Sequence, residues 1–146
     1  MGTRSTVTFC EKRGDTIKPV VNIFQMYDGY LDGVGEDLCT WLAKKIVVDG
    51  IASYESASEA NGVGDLVAQY IVKNKDGVGG LYIVPIGERV SECDYNYVVI
   101  INADAKRPYR ADDETIICVS SWDEDYFFVG TPQELLDYIK NLDEDE

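Results

Sequence analysis

The stretch YNYVVIINA at positions 95–103 gives the strongest strand signal in the chain, and the fold is built outward from it. Its β-branched and aromatic residues favour extended backbone. Residues 80–87, 114–122 and 126–130 predict three further strands, with a tight turn at 123–125 joining the last two. Pro85 lacks a backbone N–H, so the strand at 80–87 should lie at a sheet edge or end there.

The N-terminal part predicts a hairpin followed by two helices. Residues 5–10 and 19–27 have strand patterns, and the loop around Gly14-Asp15 makes them antiparallel neighbours. Residues 36–48 carry an apolar helical face, with acids early and lysines late, as the helix dipole favours. Residues 65–75 predict a second helix, after a long polar connection at 49–64.

The chain closes with a predicted helix at 131–142. Thr131 is a natural N-cap, Pro132 suits the first helical position and Glu134 completes a capping box. The element order is therefore ββααββββα. This order predicts an α+β fold in which an antiparallel or mixed sheet of about six strands is covered on one face by three helices. Residues 1–142 form one domain, and 143–146 form an acidic tail.

The charge of the chain restricts its partners. The formal net charge is −14 over 146 residues. Such a protein is repelled by phosphate backbones and anionic membranes, so we expect neither direct nucleic-acid binding nor membrane association. A basic protein surface is an electrostatically suitable partner. No apolar run has the length of a membrane span or a signal peptide, which makes the cytoplasm the expected location.

The residue types needed for common catalytic and metal sites are scarce. The chain has no histidine, and its four cysteines are widely spaced. A zinc site, a serine–histidine pair and a cysteine–histidine pair are therefore disfavoured. We expect reduced cysteines packed as small hydrophobic side chains, no metal, no cofactor and a function other than catalysis.

The tetrapeptide DGVG occurs twice, at 32–35 and 76–79, and the related NGVG lies at 61–64. No copy continues as a P-loop or a dinucleotide-binding fingerprint. We interpret the copies as recurring turn chemistry, with the neighbouring acids capping helices.

A first candidate site lies where the predicted hairpin opens. If residue numbers paired across it sum to about 29 to 32, Arg4 and Asp28 lie close together. Two interpretations stay open: a structural ion pair, or a ligand site formed by Arg4, Tyr27, Asp28 and Tyr30. A second candidate is the loop AKRPYR at 105–110, where Arg107, Tyr109 and Arg110 combine cationic and aromatic groups suited to a nucleobase and a phosphate.

The start MGTRS and the element Asp28-Gly29-Tyr30 carry a resemblance. Residues 1–42 are similar to a family of small proteins of tailed bacteriophages and bacteria that begin with MGTRS and carry WDGY about 20 residues later. Tyr27 stands where the family usually has tryptophan, and Met26 where many members have histidine. The family has no established activity, so the resemblance implies a viral origin and a role inside an infected cell.

These observations give two functional hypotheses. In the first, the chain is a viral, acidic interaction protein that binds a host protein through its basic surface, as a nucleic-acid mimic does. The ten tyrosines supply contact residues, because tyrosine is enriched at binding hot spots. In the second, it binds a small molecule, such as a nucleotide signal of host defence. Self-association as a homodimer is compatible with either.

Overall fold

The structure is a computed structural model in which residues 3–50, 58–88, 93–122 and 125–144 are described. Their strands are β1 (Ser5–Arg13), β2 (Thr16–Gln25), β3 (Ile46–Val47), β4 (Glu59–Ala60), β5 (Leu81–Val84), β6 (Tyr95–Asn102), β7 (Tyr109–Arg110), β8 (Thr115–Ser121) and β9 (Tyr126–Gly130). Their helices are a π-helix (Leu31–Gly35), α1 (Glu36–Ala43), α2 (Gly62–Asn74), α3 (Ala111–Glu114) and α4 (Pro132–Glu144).

The main sheet is mixed and has six strands in the order β5-β2-β1-β6-β8-β9. The central strands β1 and β6 are parallel, and the other neighbours are antiparallel. The predicted α+β class is therefore confirmed, together with the N-terminal hairpin and the edge position of the strand before Pro85. Strand β6, from the stretch that gave the strongest strand signal, has a partner on both sides.

One face of this sheet holds the hydrophobic core. Alternate residues of β1 and β6, such as Phe9 and Val99, point to this face and are fully buried. Helices α1, α2 and α4 cover it with Leu38, Leu66 and Leu135, among others. Each fully buried large apolar side chain contributes about 1.5–3 kcal/mol relative to an exposed one. The helices therefore cover one face of the sheet, as the sequence predicted.

The first helix ends earlier than the sequence predicts. The apolar pattern extends to residue 48, but α1 stops at Ala43. Ile46 and Val47 instead form β3, which pairs with β4 and β7 in a small three-stranded sheet. Backbone pairing with distant segments therefore prevails over the local helical pattern, because intrinsic propensity is only a weak preference.

The small sheet and α3 are additions to the predicted order. Parts of three predictions lie outside the described residues: 51–57 of the polar connection, 123–124 of the tight turn and 145–146 of the acidic tail. Helix α2 begins at Gly62, three residues before the predicted start. Among the described helices, none combines the length and the apolar composition that a membrane span needs.

The predicted capping box of the last helix is confirmed. The Glu134 backbone N–H donates to the Thr131 hydroxyl at 3.1 Å, and the Thr131 N–H donates to the Glu134 carboxylate at 2.9 Å. These reciprocal bonds satisfy two backbone donors that a helix start otherwise leaves unpaired.

The four cysteines are free and buried, as the sequence predicts. Burial raises the pKa of the Cys39 thiol to about 12. It also raises the pKa of Cys93 to about 11, although the nearby Arg4 charge acts in the opposite direction. Thiols of this kind are poor nucleophiles because the thiolate is the reactive form.

Candidate functional site

The loop between β2 and the π-helix turns sharply at Asp28. This residue has a φ of 57°, a left-handed conformation that aspartate tolerates better than most non-glycine residues. Its carbonyl accepts a hydrogen bond from the Val34 N–H at 2.7 Å. The next residue, Gly29, donates its N–H to the Thr3 carbonyl at 2.9 Å. The loop is therefore held both to itself and to the start of β1.

Glycines let this loop pack against its neighbours. A Cβ at Gly29 would lie 2.8 Å from the Ser5 Cβ, which is closer than carbon atoms approach. A Cβ at Gly35 would lie 3.0 Å from the hydroxyl of Tyr97. That hydroxyl donates a buried 2.8 Å hydrogen bond to the Gly29 carbonyl. The Tyr97 side chain of the central strand β6 therefore anchors the loop to the main sheet.

The three glycine-rich tetrapeptides adopt different structures. The copy at 32–35 lies in the π-helix, the copy at 61–64 begins α2, and the copy at 76–79 is a turn leading into β5. The Asp65 carboxylate accepts the Asn61 N–H at 2.8 Å, as expected for an acid capping a helix. The cap interpretation is thus confirmed for the copy at 61–64 and the turn interpretation for the copy at 76–79. After the copy at 32–35, α1 has no side-chain cap hydrogen bond, and Asp37 pairs with Lys73 instead. The copies at 32–35 and 76–79 also line a cleft.

This cleft has two adjacent lobes. The first, which we call the acidic lobe, has a volume of about 440 Å³. Its lining joins the loop, the π-helix, α1 and α2. It includes three residues of the first predicted site (Tyr27, Asp28 and Tyr30), together with Gln25, Asp32, Gly33, Val34, Asp37, Tyr70 and Asn74.

The second lobe, which we call the mixed lobe, lies between the end of β2 and the turn before β5. Its volume is about 490 Å³. It shares Gln25, Tyr27 and Asn74 with the acidic lobe, so the two lobes are adjacent. The rest of its lining combines apolar and small residues with one acid: Met26, Asp76, Val78, Gly79, Gly80, Leu81 and Tyr82.

Gln25 lines both lobes of the cleft. The residue is only 9% exposed. The Oε1 atom accepts a 2.8 Å hydrogen bond from the buried hydroxyl of Tyr70. Within the part of the chain that the structure describes, the Nε2 amide donates to no protein group. Gln25 lines both lobes, so an amide without a protein acceptor can donate a hydrogen bond there to a ligand that supplies an acceptor.

The charges around the acidic lobe are mostly negative. Lys73 forms a 2.7 Å ion pair with Asp37 and offsets that acid. Asp28 and Asp32 are exposed, and neither has an ion-pair partner among the described residues. The Asp28 carboxylate only accepts a long 3.4 Å hydrogen bond from the Tyr30 hydroxyl. Two uncompensated carboxylates therefore lie beside two tyrosines.

The charge of the mixed lobe is closer to neutral. Lys75 donates to the carbonyls of Gly79 and Leu81 at 2.9 and 3.0 Å. Its ammonium also lies 5.7 Å from the centre of the Tyr82 ring. This fixed cation is adjacent in the sequence to Asp76, the one acid among the described residues of the lobe's lining. Val78, which also lines this lobe, has an exposed apolar side chain.

Arg4 differs from the other residues of the first predicted site. The two residue numbers of each pair in the hairpin add up to 30 from Ser5 to Phe9 and to 29 from Cys10 to Arg13, within the predicted range. Despite this register, the ion pairs between described residues do not include one from Arg4 to Asp28. The Arg4 carbonyl accepts the Asp94 N–H at 2.9 Å. Arg4 is also not among the described residues that line the cleft.

The second predicted site lies apart from the cleft. Arg107 donates to the Val48 carbonyl at 3.4 Å and lies 3.9 Å from the Asp49 carboxylate. Tyr109 belongs to β7, and the exposed Arg110 lies 3.9 Å from Asp112. Burial raises the pKa of the Tyr109 hydroxyl. The nucleotide-binding hypothesis, which these residues carried, stays a prediction.

Gln25, Asp32, Asp76 and Tyr82 are cleft residues that the sequence did not single out. The two DGVG tetrapeptides were the one signal that could have indicated Asp32 and Asp76 together. Nothing in the sequence indicates that Gln25 lies between them, because its environment depends on α2 and β5.

Neither the family models, the curated proteins nor the solved structures with which the chain was compared gave a match. The phage-family resemblance of residues 1–42 and the viral origin that it implies stay predictions.

Proposed function

We propose that this chain is a non-enzymatic interaction protein that binds a basic surface of a partner protein through its two-lobed cleft. The observation that carries the proposal is the grouping of Tyr27, Asp28, Tyr30 and Asp32 around one concavity. If the chain is viral, the partner is a host protein in the cytoplasm.

The acidic lobe provides the chemistry that a lysine or arginine side chain needs. Carboxylates form charge-assisted hydrogen bonds with ammonium and guanidinium groups. The exposed rings of Tyr27 (59% exposed) and Tyr30 (42% exposed) provide faces for cation–π contacts. Both rings also offer large contact area at a low cost in conformational entropy.

The net charge supports the same partner class. A charge of −14 attracts basic surfaces over distances of about the Debye length, roughly 8 Å at physiological salt. Such attraction mainly raises the association rate, and close contacts in the cleft then determine specificity. A basic groove that normally binds nucleic acid is one surface of this kind, and the chain would compete with nucleic acid for it.

A charge-matched pair of variants tests the proposal. Asp28→Asn with Asp32→Asn removes two charges from the cleft, and asparagine tolerates the left-handed backbone at position 28. Asp15→Asn with Asp113→Asn removes two charges from exposed positions that do not line the cleft. Basic proteins retained by the immobilised chain, and an arginine-rich peptide measured by fluorescence anisotropy, serve as ligands.

We expect the cleft pair to weaken peptide binding by about tenfold or more, which corresponds to about 1.4 kcal/mol. The control pair should weaken it by no more than about twofold at physiological salt, because exposed charges are well screened. Equal losses for the two pairs would show that only the overall charge matters. Retention that is unchanged up to about 0.5 M salt would contradict an electrostatic partner surface.

A further inference from the structure

The two lobes differ in charge but are both lined by Gln25, and this combination suggests a specific ligand. We infer that the cleft binds an extended peptide segment in which a lysine or arginine is followed, two positions later, by an apolar residue. This inference rests on the proposed function and defines the partner segment that the cleft binds.

The Gln25 amide indicates a neutral acceptor at the centre of the ligand. Gln25 lines both lobes, its Nε2 group has no protein acceptor among the described residues, and the Tyr70 hydroxyl holds the amide oxygen in place. A phosphate could accept this hydrogen bond, but Asp28, Asp32 and Asp76 in the lining would repel it. A peptide carbonyl accepts the bond without that repulsion.

The acidic lobe then takes the cationic side chain. Asp37 is already paired with Lys73, so Asp28 and Asp32 are the carboxylates that remain for a ligand. Both line the acidic lobe together with Tyr30, whose hydroxyl donates to the Asp28 carboxylate at 3.4 Å. A guanidinium can bind a carboxylate and stack on an aromatic ring at the same time, which makes arginine the better of the two cations here.

The mixed lobe takes the apolar side chain. Lys75 is fixed beside it by two carbonyls and the Tyr82 ring, so a second cation from the ligand would be repelled there. Val78 and the Tyr82 ring are exposed and provide apolar contact instead. In an extended peptide, side chains two positions apart point to the same face and lie about 7 Å apart. Residues i and i+2 can therefore enter two adjacent lobes while the backbone between them crosses Gln25.

Four fluorescein-labelled peptides with the full chain test this inference. The reference peptide carries Arg-Ser-Leu between glycine and serine residues. The second has citrulline in place of arginine, which keeps the shape but loses the charge. The third has serine in place of leucine, and the fourth has the order Leu-Ser-Arg. Anisotropy titrations should show the reference peptide binding at least about tenfold more tightly than the other three.

The variant Gln25→Glu distinguishes a hydrogen bond donated by the Gln25 amide from simple charge attraction as the cause of binding. Glutamate keeps an oxygen acceptor for the Tyr70 hydroxyl, but it replaces the amide donor by an acceptor and adds a negative charge. Charge attraction alone predicts tighter binding of the reference peptide. The inferred carbonyl contact predicts binding weaker by about fivefold or more. Gln133→Glu, an exposed change on α4, adds the same charge away from the cleft and should leave the affinity within about twofold.

The outcomes distinguish this inference from the proposed function. If the arginine peptides bind equally with leucine, with serine or in reversed order, the bipartite recognition is wrong, although basic-surface binding stands. Tighter binding by Gln25→Glu would also overturn the inference. Failure of every arginine peptide to bind would overturn both proposals. If Gln25→Glu does not fold, as judged by circular dichroism, the four-peptide comparison decides alone.

Discussion

Tyr97→Phe removes one hydroxyl and tests how the cleft loop is held. Tyr97 is fully buried at the centre of the sheet. Its hydroxyl donates a 2.8 Å hydrogen bond to the Gly29 carbonyl, and Gly29 is itself buried against β1. Phenylalanine fills the same space apart from the oxygen atom. The substitution therefore leaves a buried acceptor without its donor while preserving the packing of the ring.

The expected loss in the free energy of unfolding is about 1–3 kcal/mol, the usual cost of leaving a buried polar group unsatisfied. For a domain of this size, a loss of that magnitude lowers the melting temperature by about 3–10 °C. The loop should also become less well ordered, because one of its attachments to the sheet is lost. We therefore expect weaker binding of the arginine peptides as well as lower stability.

Urea unfolding followed by circular dichroism measures the stability change, and Tyr95→Phe provides the control. Tyr95 lies on the same strand, but its hydroxyl donates no hydrogen bond among the described residues. Its replacement should change the stability by less than about 0.5 kcal/mol, as expected where no such feature is lost. If the two variants unfold at the same urea concentration, the buried hydrogen bond does not stabilise the loop and the reasoning is refuted.

Three further predictions concern glycines, a helix cap and pH. Gly35→Ala should destabilise the fold by about 1–3 kcal/mol, because the new Cβ would lie 3.0 Å from the Tyr97 hydroxyl. Gly64→Ala, with open space around it in α2, should instead stabilise the fold by about 0.5–1 kcal/mol, and urea midpoints check both changes. Thr131→Ala should cost about 1 kcal/mol in thermal unfolding, because the N-cap bond to Glu134 is lost. Burial raises the pKa of Cys39 to about 12 and of Cys93 to about 11. As the pH rises, these thiols ionise at a lower pH in the unfolded chain than in the folded chain. The thiols should therefore leave the free energy of unfolding unchanged below about pH 8.5 and lower it as the pH rises towards 11. A series of urea titrations across this range would contradict the prediction if stability stayed constant.

The amino-acid sequence by itself determined most of the secondary structure of the main sheet. The β-branched run at 95–103 became β6, and the alternation at 5–10 and 19–27 became the N-terminal hairpin with the predicted register sum. Thr131 and Glu134 fixed the start of the last helix. These features were predictable because each depends on side chains within a few residues of one another, or on a short turn.

Only the tertiary structure decided where the first helix ends and which residues form the cleft. Ile46 leaves the helical pattern because its backbone pairs with segments distant in the sequence. Gln25, Asp32 and Tyr82 come to line the two adjacent lobes because the hairpin, the π-helix and the edge strand meet at one end of the sheet. Local sequence patterns carry no information about which distant segments pack together. The position of the unpaired Gln25 amide, on which the inferred peptide recognition depends, is therefore a property of the folded chain.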